Sequence, residues 1–203
     1  KTWVRAGEES IKYPNIVNGN FIASRPMEIV VTDCTMIYNN GKLYDWNIYV
    51  DVFNNEIVGS DIRLSKHGVG VPNHHTAYKN FLETKIKRGY ENLETIVHTD
   101  QGAVYSSVSF NNIFNSYKVT RSMSRAGTPT DNPVIESKNG WIKKEMYIDW
   151  EADVTNELLK QLPHFLRDNN FIKIETERNI LDGSYSVSAK VTVLSENRGA
   201  DNE

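Results

Sequence analysis

Hydrophobic and polar positions give the chain a clear rhythm from Glu28 onward. The run EIVVTDCTMIY is rich in β-branched residues and reads as a strand. LYDWNIYVDVF alternates with a period of two, which puts Tyr44, Trp46, Ile48 and Val50 on one side. Asn40-Gly41 between these runs signals a hairpin, and Asn54-Asn55 turns the chain again into EIVGSDIRL. These three segments predict a meander. The spacing then becomes helical in NHHTAYKNFLETKIKRGY, with Ala77, Phe81, Leu82 and Ile86 on one face. Gly89 stands where a helix C-terminal cap belongs.

ETIVHTD predicts a short buried strand, SSVSFNNIFNSY a short helix with Val108, Ile113 and Phe114 inward, and KVTRSM a fifth strand. Ser122 to Asp131 reads as a polar, glycine-containing mobile loop. Asn132 as N-cap and Pro133 at the first helical position open the next helix, whose Ile135, Ile142 and Met146 face the sheet. ADVTNELLKQLPHFLRDN is helix-like but interrupted by Pro163, and the rest is polar, strand-forming or disordered. The order β-β-β-α-β-α-β-α predicts an α/β fold, a five-stranded mixed sheet flanked by helices. Residues 1–27 read as a turn-rich lead-in, 28–150 as the core, and 151–203 as a helix with an atypical tail.

Composition narrows the class. Apolar residues make up 39% and charged residues 24% of 203, ordinary for a globular domain. The single Cys34 excludes an internal disulfide framework and fits a reducing compartment. No apolar run approaches a membrane span and no signal-peptide pattern opens the chain, so a cytoplasmic location with no membrane partner is expected. A start at Lys1 is expected of a portion of something longer. The net charge of −3 looks wrong for a nucleic-acid binder, and its distribution tells more than the total: a basic segment holding a few acids suits phosphates and metals, but it is also the pattern of a solvated helix face, which charge alone favours. Residues 118–147 carry six bases against three acids, while residues 151–203 carry ten acids against six bases.

Three acids occupy comparable places. Asp33 lies mid-strand, where Asp is disfavoured and a buried charge is costly unless paired or metal-bound. Asp100 ends the fourth strand in HTDQG, and Glu136 sits in the first turn of the helix opened by Pro133. Singly, each has an ordinary explanation as paired core acid, turn residue or helix-dipole partner. Together, if the first and fourth strands are neighbours, they converge. Clustered carboxylates repel unless a cation lies between them, and Mg²⁺ is commonly held by a few carboxylates plus substrate phosphates. Lys143, two turns after Glu136, falls on nearly the same helix face and could hold a phosphate there. Arg121, Arg125, Lys138, Lys144 and His98 are further candidates for phosphate contact. Trp141 is expected in the core, and His74-His75, with no other ligand at zinc spacing, on the surface of a helix start.

The blocks VVTDCTMI, VDVFNNEIVGS, HTDQGAVYSS and SMSRAGTPTDNPVIESKNGWIKKE resemble the integrase-core domain of insertion-sequence transposases, relatives of retroviral integrases. Asp100 and Glu136 are separated by 35 residues, as in that family's DD(35)E signature, and Lys143 falls where the family often has a base. The resemblance covers roughly residues 20–150. It implies an RNase-H-like fold, with Asp33, Asp100 and Glu136 catalytic and binding two Mg²⁺ ions, Mn²⁺ serving as substitute. It also implies DNA cleavage at element ends, joining of the freed 3′-OH to target DNA, and action as a homo-multimer. The family's usual C-terminal run of Tyr-Asn, Arg, His and Leu-x-x-x-x-Pro is missing, as is a preceding helix-turn-helix. A nuclease that only hydrolyses, or a domesticated copy that binds without catalysis, are the alternatives.

Overall fold

The computed structural model describes residues 11–65, 71–102, 104–114, 117–125, 132–151, 158–168, 175–178, 185–188 and 192–193. β1 (Ile29–Asn39), β2 (Lys42–Asp51) and β3 (Ile57–Leu64) form the expected antiparallel meander. Asn40 and Gly41 both adopt positive φ, 45° and 75°, the twist a two-residue hairpin turn requires. α1 (Val71–Lys87) follows and ends at Gly89, φ 73°. β4 (Thr95–Thr99) then pairs parallel with β1, and β5 (Val119–Met123) parallel with β4. Between them lie the single turn α2 (Val108–Asn111) and a 3-10 turn at Asn112–Phe114.

The sheet order β5-β4-β1-β2-β3 makes β1 the central strand. Each face carries its own core. Tyr44, Trp46, Ile48 and Val50 bury with Ile135, Ile142 and Met146 of α3 (Pro133–Lys144) and the π-turn after it, Glu145–Asp149. The opposite face packs Tyr49, Val58 and Met123 against Ala77, Tyr78, Phe81 and Leu82 of α1. Gly59 permits that contact, since a Cβ there would sit 2.6 Å from Phe81 backbone and Cβ atoms.

Several expectations need correcting. Ile86 and Val108 are exposed; Ile113 packs against the core as expected, Phe110 is buried beside it, and the Phe114 side chain falls outside the described residues. Asn132 makes no side-chain cap, although Pro133 does open α3. Pro163 does not interrupt α4 (Leu158–Asp168), because Leu158, Leu162, Phe165 and Leu166 seat one face of it firmly on the α3-side core. His74 is buried, its ring edge-on to Tyr105 at 5.0 Å. The lead-in from residue 11 is tied down: Ile16 and Val17 N–H groups donate to Ser122 Oγ, and Met27 is fully buried. Ser122 itself lies within β5 rather than in a loop, and residues 126–131 of that expected loop fall outside the described residues. In the tail, β6 (Glu175–Arg178) and β7 (Tyr185–Ser188) pair antiparallel, and β8 (Thr192–Val193) adds a two-residue sixth strand beside β3. Among the described residues no helix is long and apolar enough to cross a membrane.

Candidate active site

The sheet brings Asp33 and Asp100 together by register. The last β1–β4 pair is Val31↔His98, and each acid lies two residues beyond it, so period-two alternation puts both on the α3 side. α3 carries Glu136 in its first turn and is fixed to β1 at two points. Asn139 Nδ2 donates to Asp33 Oδ2 at 3.2 Å, and within the π-turn that continues α3 Tyr147 Oη accepts the Tyr38 N–H at 2.7 Å. Electrostatics records the convergence. Burial pushes the Asp33 carboxyl above its ordinary range; the Cys34 backbone N–H opposes this, Asp100 and Glu136 push it further up, and Lys143 pulls it down. One half-buried carboxylate thus feels two acids and a base from β4 and α3.

Asp100 has its own restraint. Its Oδ1 accepts the Gly102 N–H at 2.8 Å, and a Cβ on Gly102 would lie 2.8 Å from the same oxygen. Gly102 has no positive φ, so it is the room for the carboxylate, not turn geometry, that calls for glycine. Asn139 was not singled out from sequence. Its place one turn after Glu136, on the same side of the helix, was the available signal. Its Oδ1 is buried without a hydrogen-bond partner.

Among the described residues no group of three or more His, Cys, Asp or Glu closes up as a metal cage. One oxygen of each aspartate is already engaged, Asp100 Oδ1 by the Gly102 N–H and Asp33 Oδ2 by Asn139 Nδ2. The donors nonetheless suit a hard divalent cation, being oxygens only, with Asp33 half-buried near two other acids and the Asn139 Oδ1 without a hydrogen-bond partner. Cys34 is no rival nucleophile. Burial first, then Asp45, Asp33 and Asp100, push its thiol up to about 12.

The remaining candidates separate. Lys143 is half-buried beside Asp33, and Lys144 and Arg125 are exposed. Arg121 is interior: it donates to Asn111 Oδ1 at 2.6 Å and the Tyr105 carbonyl at 3.2 Å, and lies over the Tyr13 and Phe110 rings. His98 is also interior, its Nδ1 2.9 Å from Ser122 Oγ and its ring edge-on to Phe21. Both burials remove the side chains from a phosphate surface, because strand β4 and strand β5 point them inward. Lys138 is buried too, while Trp141, expected in the core, is 55% exposed.

The five-stranded mixed sheet flanked by helices is an RNase-H-like fold, and Asp33, Asp100 and Glu136 lie on β1, just past β4 and on α3. The integrase core domain family matches residues 23–129, and the chain belongs to that family. It is 30% identical over 168 residues to a putative transposase InsK for insertion sequence element IS150 of Escherichia coli, covering 83% of this chain and 57% of that protein. It is 30% identical over 162 residues to an uncharacterized transposase-like protein of Haemophilus influenzae, covering 79% and 71%. A transposase for insertion sequence element IS904 of Lactococcus lactis matches at 30% over 158 residues, covering 75% of this chain and 59% of its own length. The chain thus spans little more than half of two of these relatives. In fold it resembles the simian T-cell lymphotropic virus intasome chain (TM-score 0.53, 18% identity, covering 84% of this chain and 61% of that one). It also resembles the HTLV-2 integrase catalytic core domain in complex with magnesium in its trimeric form (TM-score 0.51, 18% identity, 81% and 96%).

Proposed function

We propose that this chain is the catalytic core of a transposase, cutting DNA strands at element ends and joining the freed 3′-OH to target DNA. The observation that carries the reading is the convergence of Asp100, Glu136 and Lys143 on Asp33. Asp33, Asp100 and Glu136 are the catalytic acids and would hold two Mg²⁺ ions, with Mn²⁺ as substitute. Bound there, the metals would supply activation of the nucleophile and stabilisation of the leaving oxygen in an in-line phosphoryl displacement. Asn139 keeps the Asp33 carboxylate oriented, and the Gly102 N–H keeps that of Asp100. Lys143 balances part of the acids' charge and contacts a phosphate; Lys144 and Arg125 extend that contact outward. In cleavage, water forms the new P–O bond and the 3′-oxygen leaves; in joining, that 3′-OH attacks a target phosphate and another strand's 3′-oxygen leaves. The catalytic unit is assigned to residues 28–150, between a lead-in and a tail, acting as a multimer in a bacterial cytoplasm as its bacterial relatives suggest.

The test pairs the full chain with element-end and target DNA in Mg²⁺. Joined strand-transfer product is expected, and Asp100→Asn should lower it by a factor of 100 or more, a loss in the range of removing one transition-state charge contact. Nicks without joined product would favour a hydrolase, and an unchanged Asp100→Asn would remove Asp100 from the site.

A further inference from the structure

The exposed arc of α3 continues past the acids to a second feature. At about 100° per residue, Ser137 lies beside Glu136 on the helix surface and Trp141 about 40° beyond Ser137. There a cavity of about 450 Å³ opens between α3 and the β2–β3 turn, lined by Asn55, Pro133, Val134, Ser137, Lys138 and Trp141. That volume lies within the roughly 300–1,000 Å³ typical of small-ligand sites.

Its chemistry is specific. The Trp141 indole is 55% exposed, yet its ring is held, with Nε1 donating to Glu145 Oε1 at 2.9 Å. The Lys138 ammonium lies 5.2 Å from the ring centroid, and the residue is only 7% exposed. Pro133 and Val134 supply apolar wall; Ser137 and Asn55 supply a hydroxyl and an amide. Gly140 gives an independent indication. It is exposed in mid-helix, where glycine costs up to about 1 kcal/mol relative to alanine, and a Cβ there would meet nothing within 4 Å. The chain's own packing therefore does not require glycine, whereas a backbone passing close over α3 between Glu136 and Trp141 would.

We propose that this cavity is a nucleotide subsite, in which one unpaired nucleotide of the DNA strand running over Gly140 stacks its base on Trp141 and sets its phosphate toward Lys138. The proposal rests on the DNA-processing reading above and adds where a frayed base goes. It predicts a preference for single-stranded or frayed ends over closed duplex.

The experiment uses the full chain in EDTA, so that no strand is cut, with fluorescein-labelled single-stranded, frayed-end and hairpin-closed duplex DNA of one sequence. Anisotropy gives each affinity; circular dichroism confirms folding. Trp141→Ala should weaken binding of the single-stranded and frayed forms by about 5- to 150-fold, the value of one base–aromatic stack, and change closed duplex less than threefold. Trp141→Phe should keep most of the affinity. In the wild-type chain single-stranded DNA should also quench indole fluorescence, and Trp141→Phe should abolish that quenching. Equal affinities for wild type and Trp141→Ala, or quenching that survives in Trp141→Phe, would overturn the subsite alone. So would a Trp141→Ala effect confined to the chain's oligomeric mass, which would assign the face to a second copy. A wild-type chain that binds none of the three DNAs would overturn the functional reading itself.

Discussion

The site's accuracy depends on small residues that hold large consequences. Gly102 makes the point: its N–H fixes one Asp100 oxygen while its missing Cβ leaves that oxygen room. Gly102→Ala keeps the N–H but puts a methyl 2.8 Å from Oδ1, and the far end of a flexible side chain yields before the backbone does. The penalty should therefore appear in geometry, not stability. Strand transfer is expected to fall by about 10- to 100-fold, since displacements near 1 Å at reacting groups cost that much, while Tm moves by less than about 3 °C. A Gly102→Ala chain as active as wild type would show that Asp100 is not held by this contact; one that unfolds would show that the loop, not the carboxylate, needs glycine.

At the level of elements, what the sequence disclosed follows what each element needs locally. The meander, the Asn40-Gly41 turn and the apolar side of α3 were readable because period, turn chemistry and helix start all point one way. The parallel placement of β1 beside β4 was needed for the triad and was only conditional in the sequence, since pairing between distant strands leaves no local mark. The failures share a cause: apolarity does not say which way a side chain points. Trp141 and Val108 face outward, while Arg121, His98 and His74 are inside, each satisfied or packed by partners far away in sequence. His74 also gives α1 a measurable pH dependence. Burial lowers its pKa to about 4, with the His75 charge adding to the effect. A depressed histidine lends stability that is fully present above its unfolded value near 6.5 and is lost as pH falls toward 4. His74→Phe keeps a ring against Tyr105 and Phe110 but cannot titrate. Between pH 7.5 and 4.5 it should lose about 1–3 kcal/mol less unfolding free energy than wild type. Parallel pH profiles for the two chains would refute a buried neutral His74. Asp61, raised to about 6 by burial against the pull of Arg63, loses stability in the opposite direction, but it is common to both chains and cancels in the comparison.

For the whole molecule, function and stability are opposed at one place. The fold spends a central strand and a helix start on gathering three acids, and Asn139, Gly102 and Lys143 relieve only part of the repulsion. Asp33 bears most of it, because burial disfavours its ionised form before either neighbour is counted. A carboxyl raised in this way stabilises the fold only while protonated: its contribution is complete below the unfolded value near 3.9 and is lost as pH rises through the folded one. At pH 7 without metal the chain carries that penalty. Asp33→Asn removes the charge at nearly constant shape, and its amide can still meet Asn139. It is therefore expected to melt about 2–4 °C higher than wild type in EDTA, the shift that about 1 kcal/mol produces in a chain of this size. Adding Mg²⁺ should reverse the order. A ligand that binds only the folded state stabilises by RT ln(1 + [L]/Kd), so at tenfold excess over Kd the wild type gains about 1.4 kcal/mol, while Asp33→Asn, short of a ligand, gains little. Differential scanning calorimetry of both chains, with and without Mg²⁺, reads all four values. A lower melting point for Asp33→Asn in EDTA would mean that the acid is compensated and its neighbours are not gathered on it. An equal Mg²⁺ response in the two chains would mean that the ion binds elsewhere.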